Sequence, residues 1–279
     1  EPGNDSPAGK ACIVVIYGAD LGRRLELGKG PFEIGRSNGN DLFIDQESIS
    51  RHHARITFDA GSYVIADLGS TNGTFVNDHR VTAQKLRDGD QLRIGRSILK
   101  YMIGENIEVQ YHEEIYRLMT VDGLTQIYNR RYFDEALERE VSRCKRYGHE
   151  MSLIAFDIDH FKDVNDTYGP LVGDNVLRLI ASSVKPRLRR EDIFARTGGE
   201  EFAIILPEVA VEGARITAEK VRSIVESTPL NHDEDVIRCT VSLGVASVKG
   251  TGATPADLYR RGDERLYEAK QSGRNRVVG

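Results

Sequence analysis

The sequence predicts a multidomain protein: an N-terminal all-β sandwich, a short connecting helix and a C-terminal α/β domain. Three observations carry this. Residues 10–103 read as many short alternating runs separated by turn residues, with no helical period. Residues 104–121 change period, with Ile107, Tyr111, Ile115 and Leu118 at helical spacing on one face. From residue 122 to 279 strand-like and helix-like stretches alternate, the pattern of a layered α/β fold. A length of 279 residues fits about two domains.

Bulk properties narrow the function classes. Hydrophobic residues make up 39% and charged residues 29%, ordinary for a soluble globular chain. A net charge of −5 gives no overall basic surface, so nucleic acid is not an expected partner. No apolar run approaches the roughly 18 residues of a membrane helix, and no signal-peptide pattern opens the chain, so no membrane partner is expected. Cys12, Cys144 and Cys239 are scattered and odd in number. They read as reduced core thiols, which suggests a cytoplasmic protein. The chain opens on Glu1 rather than Met, which leaves room for a preceding piece.

Residues 1–9 are rich in Gly, Pro and Ser and read as a flexible tail. Strands are expected at 11–17, 24–27, 32–34, 42–44, 54–58, 63–67, 74–76, 91–94 and 99–103. Three loops between them hold the polar chemistry: Gly35-Arg36-Ser37, Ser48-Ile49-Ser50-Arg51-His52-His53-Ala54, and the run from Asp67 through Ser70-Thr71-Asn72-Gly73 to Asn77. Arg36 and Arg51 can each fork onto a phosphate, with the Ser50 and Thr71 hydroxyls as further donors. The same side chains could simply cap a sandwich. With Gly-Arg, Ser-x-x-His and Thr-Asn-Gly in this order and spacing, the segment resembles a forkhead-associated (FHA) domain. That resemblance implies a phosphothreonine peptide as ligand, from another protein or from the chain's own N-terminal tail. It gives Arg36, Ser50, Arg51 and Thr71 the phosphate and Asn72 the peptide backbone, with His53 buttressing the loops.

The connector's apolar face admits two readings: packing on one of the two domains, or pairing with its copy in a dimer. In the second domain, Leu153-Ile154-Ala155-Phe156 reads as a buried strand. Asp157 follows it at once, and a carboxylate at the end of a buried strand is costly unless paired or metal-bound. Two further apolar runs meet across Gly198-Gly199, a hairpin signal in which both glycines can take positive φ. Glu200 and Glu201 come next and, by strand alternation, point to opposite faces. One can face a metal while the other braces the turn or meets a second metal; the plain alternative is a solvated acidic tip. Oxygen ligands with room for water and phosphate suit Mg²⁺, and Asp157 and Glu200 are candidates to share it. Helices are expected at 171–188, 209–227 and 255–271, the last stopped by Gly273, and a strand at 239–248. Lys270 and Arg274 form a cationic pair that, taken alone, reads as solvated surface.

Together these pieces resemble the GGDEF family, the diguanylate cyclases. The match runs through Asp122-Gly123-Leu124-Thr125, Asn129-Arg130-Arg131, Asp157 to Asp166, Gly173-Asp174, the signature Gly198-Gly199-Glu200-Glu201-Phe202, Val241-Ser242-Leu243-Gly244 and Lys270-x-x-Gly273-Arg274-Asn275. The signature has Glu at its third position, a variant found in active members. Pro170, in the loop before a helix, stands where many members have His. The resemblance implies a nucleotide cyclase-like fold with a mixed central sheet, working as a homodimer that condenses two GTP into cyclic di-GMP and two pyrophosphates. Asp157, the Ile158 carbonyl, Glu200 and Glu201 would hold Mg²⁺ (or Mn²⁺), with Glu200 and Glu201 catalytic. Asn165 and Asp174 would read guanine. Lys162, Lys270 and Arg274 would contact phosphates, and Phe161, with its backbone near the turn, would line their pocket. Arg189 and Asp192, five residues before Gly198, would form a product-binding inhibitory site, although alone they read as a surface ion pair. The rival expectation is a non-catalytic, cyclic di-GMP-sensing phosphopeptide adaptor. The intact acidic and basic positions argue against it.

Overall fold

The computed structural model describes residues 11–279 except 19, 105–106, 234 and 251–252, and the backbone alone over 107–113. The expected flexible tail at 1–9 lies outside the described residues, as do the Ile107 and Tyr111 side chains of the connector's apolar face. The chain's contacts separate into two compact units, divided between Arg117 and Leu118.

The first unit is built from β1 (Ala11–Tyr17), β2 (Arg24–Glu26), β3 (Phe32–Gly35), β4 (Leu42–Phe43), β5 (Ala54–Asp59), β6 (Ser62–Asp67), β7 (Thr74–Val76), β8 (His79–Val81), β9 (Ala83–Lys85), β10 (Gln91–Ile94) and β11 (Ser97–Ile103). They form two sheets, ordered β2-β1-β11-β10-β7-β8 and β4-β3-β5-β6-β9. Ile13, Leu92, Ile94 and Leu99 of one sheet share a buried cluster with Ile34, Ile56 and Ile65 of the other. Inward residues recur at a period of two, as in a sandwich, although Cys12, Val14 and Met102 on the other face of their sheet are buried in a small cluster of their own. The short strands β8 and β9 are absent from the sequence reading because their side chains are mostly exposed and offer no apolar alternation.

Helix α1 (Ile107–Thr120) leads into the second unit. There follow α2 (Arg130–Tyr147), β12 (Glu150–Ile158), α3 (Phe161–Tyr168), α4 (Pro170–Val184), a 3₁₀ turn (Lys185–Arg187), β13 (Ile193–Arg196), β14 (Glu201–Pro207), α5 (Val211–Ser227), β15 (Leu230–His232), β16 (Asp235–Ile237), β17 (Val241–Lys249), α6 (Pro255–Gln271) and β18 (Val277–Val278). The central sheet is ordered β13-β14-β12-β17-β18. It is mixed: β18 runs parallel to β17, and the other pairs are antiparallel.

Strand β12 is buried on both faces. Ile154, Phe156 and Ile158 pack with Val176, Ile180, Ala218 and Val221 of α4 and α5. Met151 and Leu153 face the other way, with Phe133 and Leu137 of α2 and Leu258 of α6. This is why its sequence is a continuous apolar run. Alternation then places Asp157 on the α6 side of the sheet.

Local sequence fixes the helix ends. Asn129 caps α2 by accepting from the Tyr132 amide, and Gly148 closes it at φ 68°. Thr254 and Asp257 form a reciprocal capping box at the start of α6, with Pro255 in the first turn. The helix expected at 171–188 stops at Val184, because Pro186 has no N–H to continue the ladder. Pro170 is the first residue of α4 rather than a loop residue, a position where its missing N–H costs nothing. The three cysteines are free and buried; burial pushes the Cys144 thiol up to about 11. Among the described residues no helix is long and apolar enough to cross a membrane.

Helix α6 seats directly on bare backbone at Gly244 of β17. A Cβ there would overlap the Gly262 carbonyl oxygen and the Leu266 amide nitrogen, neither of which is a flexible group. Gly244→Ala is therefore expected to cost about 1–3 kcal/mol as overpacking, read as a lower denaturant midpoint at unchanged slope. An unchanged midpoint would show that α6 does not sit this close.

Candidate functional site

The functional side chains of the second unit gather at the end of β12. Asp157 is 4% exposed, and the Lys270 ammonium from the last turn of α6 lies 2.9 Å from its Oδ2. Its direct cross-strand partner on β14 is Glu201. The Ile158 amide donates to the Glu200 carbonyl at 3.4 Å. Burial pushes the Asp157 carboxyl up to about 6; Lys270 pulls it down, while Glu200 and Glu201 repel its charge and raise it. Three carboxylates and one ammonium thus share a small space.

The turn joining β13 to β14 departs from expectation in one respect. Neither Gly198 nor Gly199 has a positive φ. The reason for glycine at 198 is space: a Cβ would overlap the Glu201 carboxylate, which folds back against it. Arg196 clamps the turn from below, donating to the Gly199 carbonyl from Nη2 at 2.6 Å and from Nε at 3.1 Å. The same guanidinium meets Asp122 at 3.3 Å. Burial raises the Asp122 carboxyl, but the Thr125 hydroxyl and amide and Arg196 outweigh it and leave it below the ordinary carboxylate range.

Asn165 and Asp174 also come together. A Cβ on Gly173 would overlap the Asn165 carboxamide oxygen, so that side chain lies on the bare backbone next to Asp174. Both residues are half-buried, and Lys162 on the same helix as Asn165 is exposed. The Phe161 side chain is 6% exposed and packs in the apolar core; the expectation concerns its backbone, next to the turn. Arg274 is exposed on the loop after α6. Arg189 and Asp192 form a tight turn, the Arg189 amide donating to Asp192 Oδ2 at 2.7 Å. Burial holds the Asp192 carboxyl above its usual range, and its Oδ1 is buried without a hydrogen-bond partner.

Asp159 and Asn275 stand inside stretches the sequence reading quoted but received no role. Asp159 accepts from Thr240 Oγ1 at 2.7 Å, Ser242 Oγ at 2.6 Å and the Asn275 amide at 3.0 Å. Its spacing of two from Asp157 was the available signal.

The donor set fits a hard divalent cation. All candidate side-chain ligands are carboxylate oxygens, and a cation would stabilise the Asp157 charge that burial, and then the Glu200 and Glu201 charges, disfavour. Among the described residues no three His, Cys, Asp or Glu side chains stand close enough to cage a metal alone. A cation here would need phosphate oxygens and water to complete its shell.

In the first unit the three polar loops meet around His53, which is fully buried. The Ser50 amide donates to its Nδ1 at 3.2 Å, so Nε2 carries the proton and donates to the Gly73 carbonyl at 3.1 Å. Burial holds this imidazole below its ordinary range, hence neutral. The Thr71 amide donates to Ser50 Oγ at 3.1 Å, and Asn72 Nδ2 donates to the Ser48 carbonyl at 2.7 Å. Asn72 therefore ties two loops together. Burial raises the Asp67 carboxyl, but bonds from Ser70 and Thr74 outweigh it and leave it low; it anchors the third loop. The Arg36 amide donates to the Ser50 carbonyl, and its Nε is buried without a hydrogen-bond partner. Arg51, next to Ser50 in the chain, and Thr71 of the third loop are exposed.

Comparison with known proteins gives two family matches: "Diguanylate cyclase, GGDEF domain" over residues 119–276 and "FHA domain" over residues 32–95. The response regulator PleD of Caulobacter vibrioides is 42% identical over 164 residues, 58% of this chain and 36% of PleD. The chain thus spans about a third of the length of that curated relative. Among solved structures, the GGDEF domain of DgcB from Caulobacter crescentus, in complex with c-di-GMP, is 39% identical, covering 57% of this chain and 92% of that one at a TM-score of 0.55. The active GGEEF domain of a diguanylate cyclase from Vibrio cholerae is 35% identical, covering 55% and 97%, at a TM-score of 0.52.

The crowding at Asp157 has a measurable sign. Its folded pKa is raised, so between pH 4 and 6 the folded chain holds a proton that the unfolded chain has released. Stability present at pH 4 is therefore lost as pH rises through about 6. Carbon-13 NMR of metal-free protein is expected to show Asp157 titrating near 6, higher in Lys270→Met and lower on adding a divalent cation. Titration near 4, as for an ordinary aspartate, would contradict the geometry.

Proposed function

The chain belongs to the GGDEF family, with an FHA domain ahead of that family's domain, and on that premise we propose that it is a diguanylate cyclase regulated by phosphothreonine binding. It condenses two GTP into cyclic di-GMP and two pyrophosphates. The observation that carries this reading is buried Asp157 at the end of its strand, paired with Lys270 and set directly across from Glu201 of the acidic signature. The Glu-Glu form of the signature supports catalysis, since the similar Vibrio domain is described as an active GGEEF domain.

Each subunit of a homodimer binds one GTP. The 3′-oxygen of one nucleotide forms a bond to the α-phosphorus of the other, the bond to the β-phosphate bridging oxygen breaks, and pyrophosphate leaves. Two equivalent steps close the ring, which is the natural work of a two-fold arrangement of half-sites. Asn165 and Asp174 hold the guanine edge: an aspartate accepts from the base N1–H and amine together. Lys162, Lys270 and Arg274 hold the phosphates. Enzymes of this family generally depend on a divalent metal, and Mg²⁺ or Mn²⁺ on Asp157, the Ile158 carbonyl, Glu200 and Glu201 would neutralise charge on the triphosphate as it transfers.

Arg189 and Asp192 form a product-binding inhibitory site. Asp192 keeps a buried, unpartnered carboxylate oxygen that suits a guanine donor, and the similar DgcB domain was crystallised with c-di-GMP. In the FHA domain, Arg36, Ser50, Arg51 and Thr71 take the phosphate of a phosphothreonine protein or of the chain's own tail. Asn72 takes the peptide backbone.

The test is turnover of the purified chain with GTP and Mg²⁺, with product identified by chromatography. Cyclic di-GMP is expected, with Asp157→Ala and Glu200→Gln at least about a hundredfold slower. No cyclic product, with or without a phosphothreonine peptide, would favour the adaptor instead. Arg36→Ala is expected to weaken phosphothreonine-peptide binding by roughly 10- to 100-fold, the loss of charge-assisted bonds, and to remove the peptide's effect on turnover. An unaltered response would refute regulation through this pocket.

A further inference from the structure

The loop that presents Arg274 has an improbable backbone. Gly273, Arg274 and Asn275 all have positive φ, at 109°, 62° and 44°. Consecutive non-glycine residues keep that conformation only where their surroundings impose it. Asp159, 5% exposed, supplies one constraint, beside the Arg274 amide's bond to the Ala269 carbonyl at 3.0 Å and the Arg276 Nε bond to the Arg274 carbonyl at 3.0 Å. Its Oδ1 accepts from Ser242, and its Oδ2 accepts from Thr240 and from the Asn275 amide. Its own amide donates to the Thr240 carbonyl at 2.9 Å. From the other side, Arg222 donates to Asn275 Oδ1 at 2.8 Å and Asn275 Nδ2 donates to Glu226 at 2.7 Å. The loop is closed below by Leu243, whose amide donates to the Arg276 carbonyl.

Two carboxylates two residues apart therefore divide one task. Asp157 takes Lys270 by its side chain, and Asp159 takes Asn275 by its backbone. We propose that Asp159 is the positioning residue for Arg274, fixing its loop so that the exposed guanidinium stands ready for a phosphate of a nucleoside triphosphate. This rests on the nucleotide-binding reading above. Both Asp159 oxygens are engaged within the protein, so it acts through Arg274 and not on substrate.

The test uses the full chain. Binding of a non-hydrolysable GTP analogue with Mg²⁺ is measured by titration calorimetry, alongside KM and kcat for GTP. Asp159→Asn is expected to weaken analogue binding and raise KM by roughly tenfold, the loss of one charge-assisted contact, with kcat little changed. Arg274→Ala should do the same, and the double variant should bind no more weakly than Arg274→Ala alone. If Asp159→Asn fails to fold by thermal melt, Thr240→Val, which removes a hydroxyl orienting Oδ2, must show the same coupling. Unchanged binding, or losses that multiply in the double variant, would overturn the proposal. A wild-type chain that binds the analogue yet forms no cyclic product overturns only the cyclase reading, because the coupling is read from binding.

Discussion

Everything at the working end of the second unit follows from one awkward burial. An aspartate sits at the end of a strand enclosed on both faces, where removing an ion from water costs several kcal/mol. The Lys270 ammonium offsets that only in part, because Glu200 and Glu201 stand close by and repel. Such an arrangement gains nothing for folding. On the reading proposed above, a cation and a polyphosphate would relieve it. The surrounding sheet and helices, locked by the close seat of α6 on Gly244, are what hold these groups near one another against their preference.

The first unit solves a similar problem by different means. Its loops have no regular ladder to hold them, so buried polar groups at their bases do it. His53 joins the Ser50 loop to Gly73 in a neutral tautomer, and Asp67 gathers Ser70 and Thr74. The exposed residues above them can then be chosen for recognition alone. In both units several loop-shaping residues lie apart from those proposed to touch ligand, although Ser50, Asn72 and Asp192 would do both.

That separation explains what the sequence could reveal. Strands with clear alternation, the buried β12 and the acidic signature are written in consecutive letters, and they were legible. Asp159 was not, because its hydroxyl partners lie 81 and 83 residues away and its amide partner 116 away. Arg196 and Asp122 are likewise 74 residues apart. The glycine pair misled on backbone geometry, since Gly198 is there to clear the Glu201 side chain and not to turn with positive φ. Strands β8 and β9 left no trace because their residues face water.

The Arg196 guanidinium has one more implication. Asn129, the cap of α2, binds back to the Met119 and Thr120 carbonyls in the last turn of α1. Asp122 follows directly and grips Arg196, which grips the Gly199 carbonyl. From the end of that helix to the acidic hairpin tip, the path runs through hydrogen bonds, the short peptide link from Thr120 to Asp122 and the Asp122–Arg196 ion pair. The last turn of α1 and the hairpin tip are thus joined by one continuous run of polar contacts and that short link.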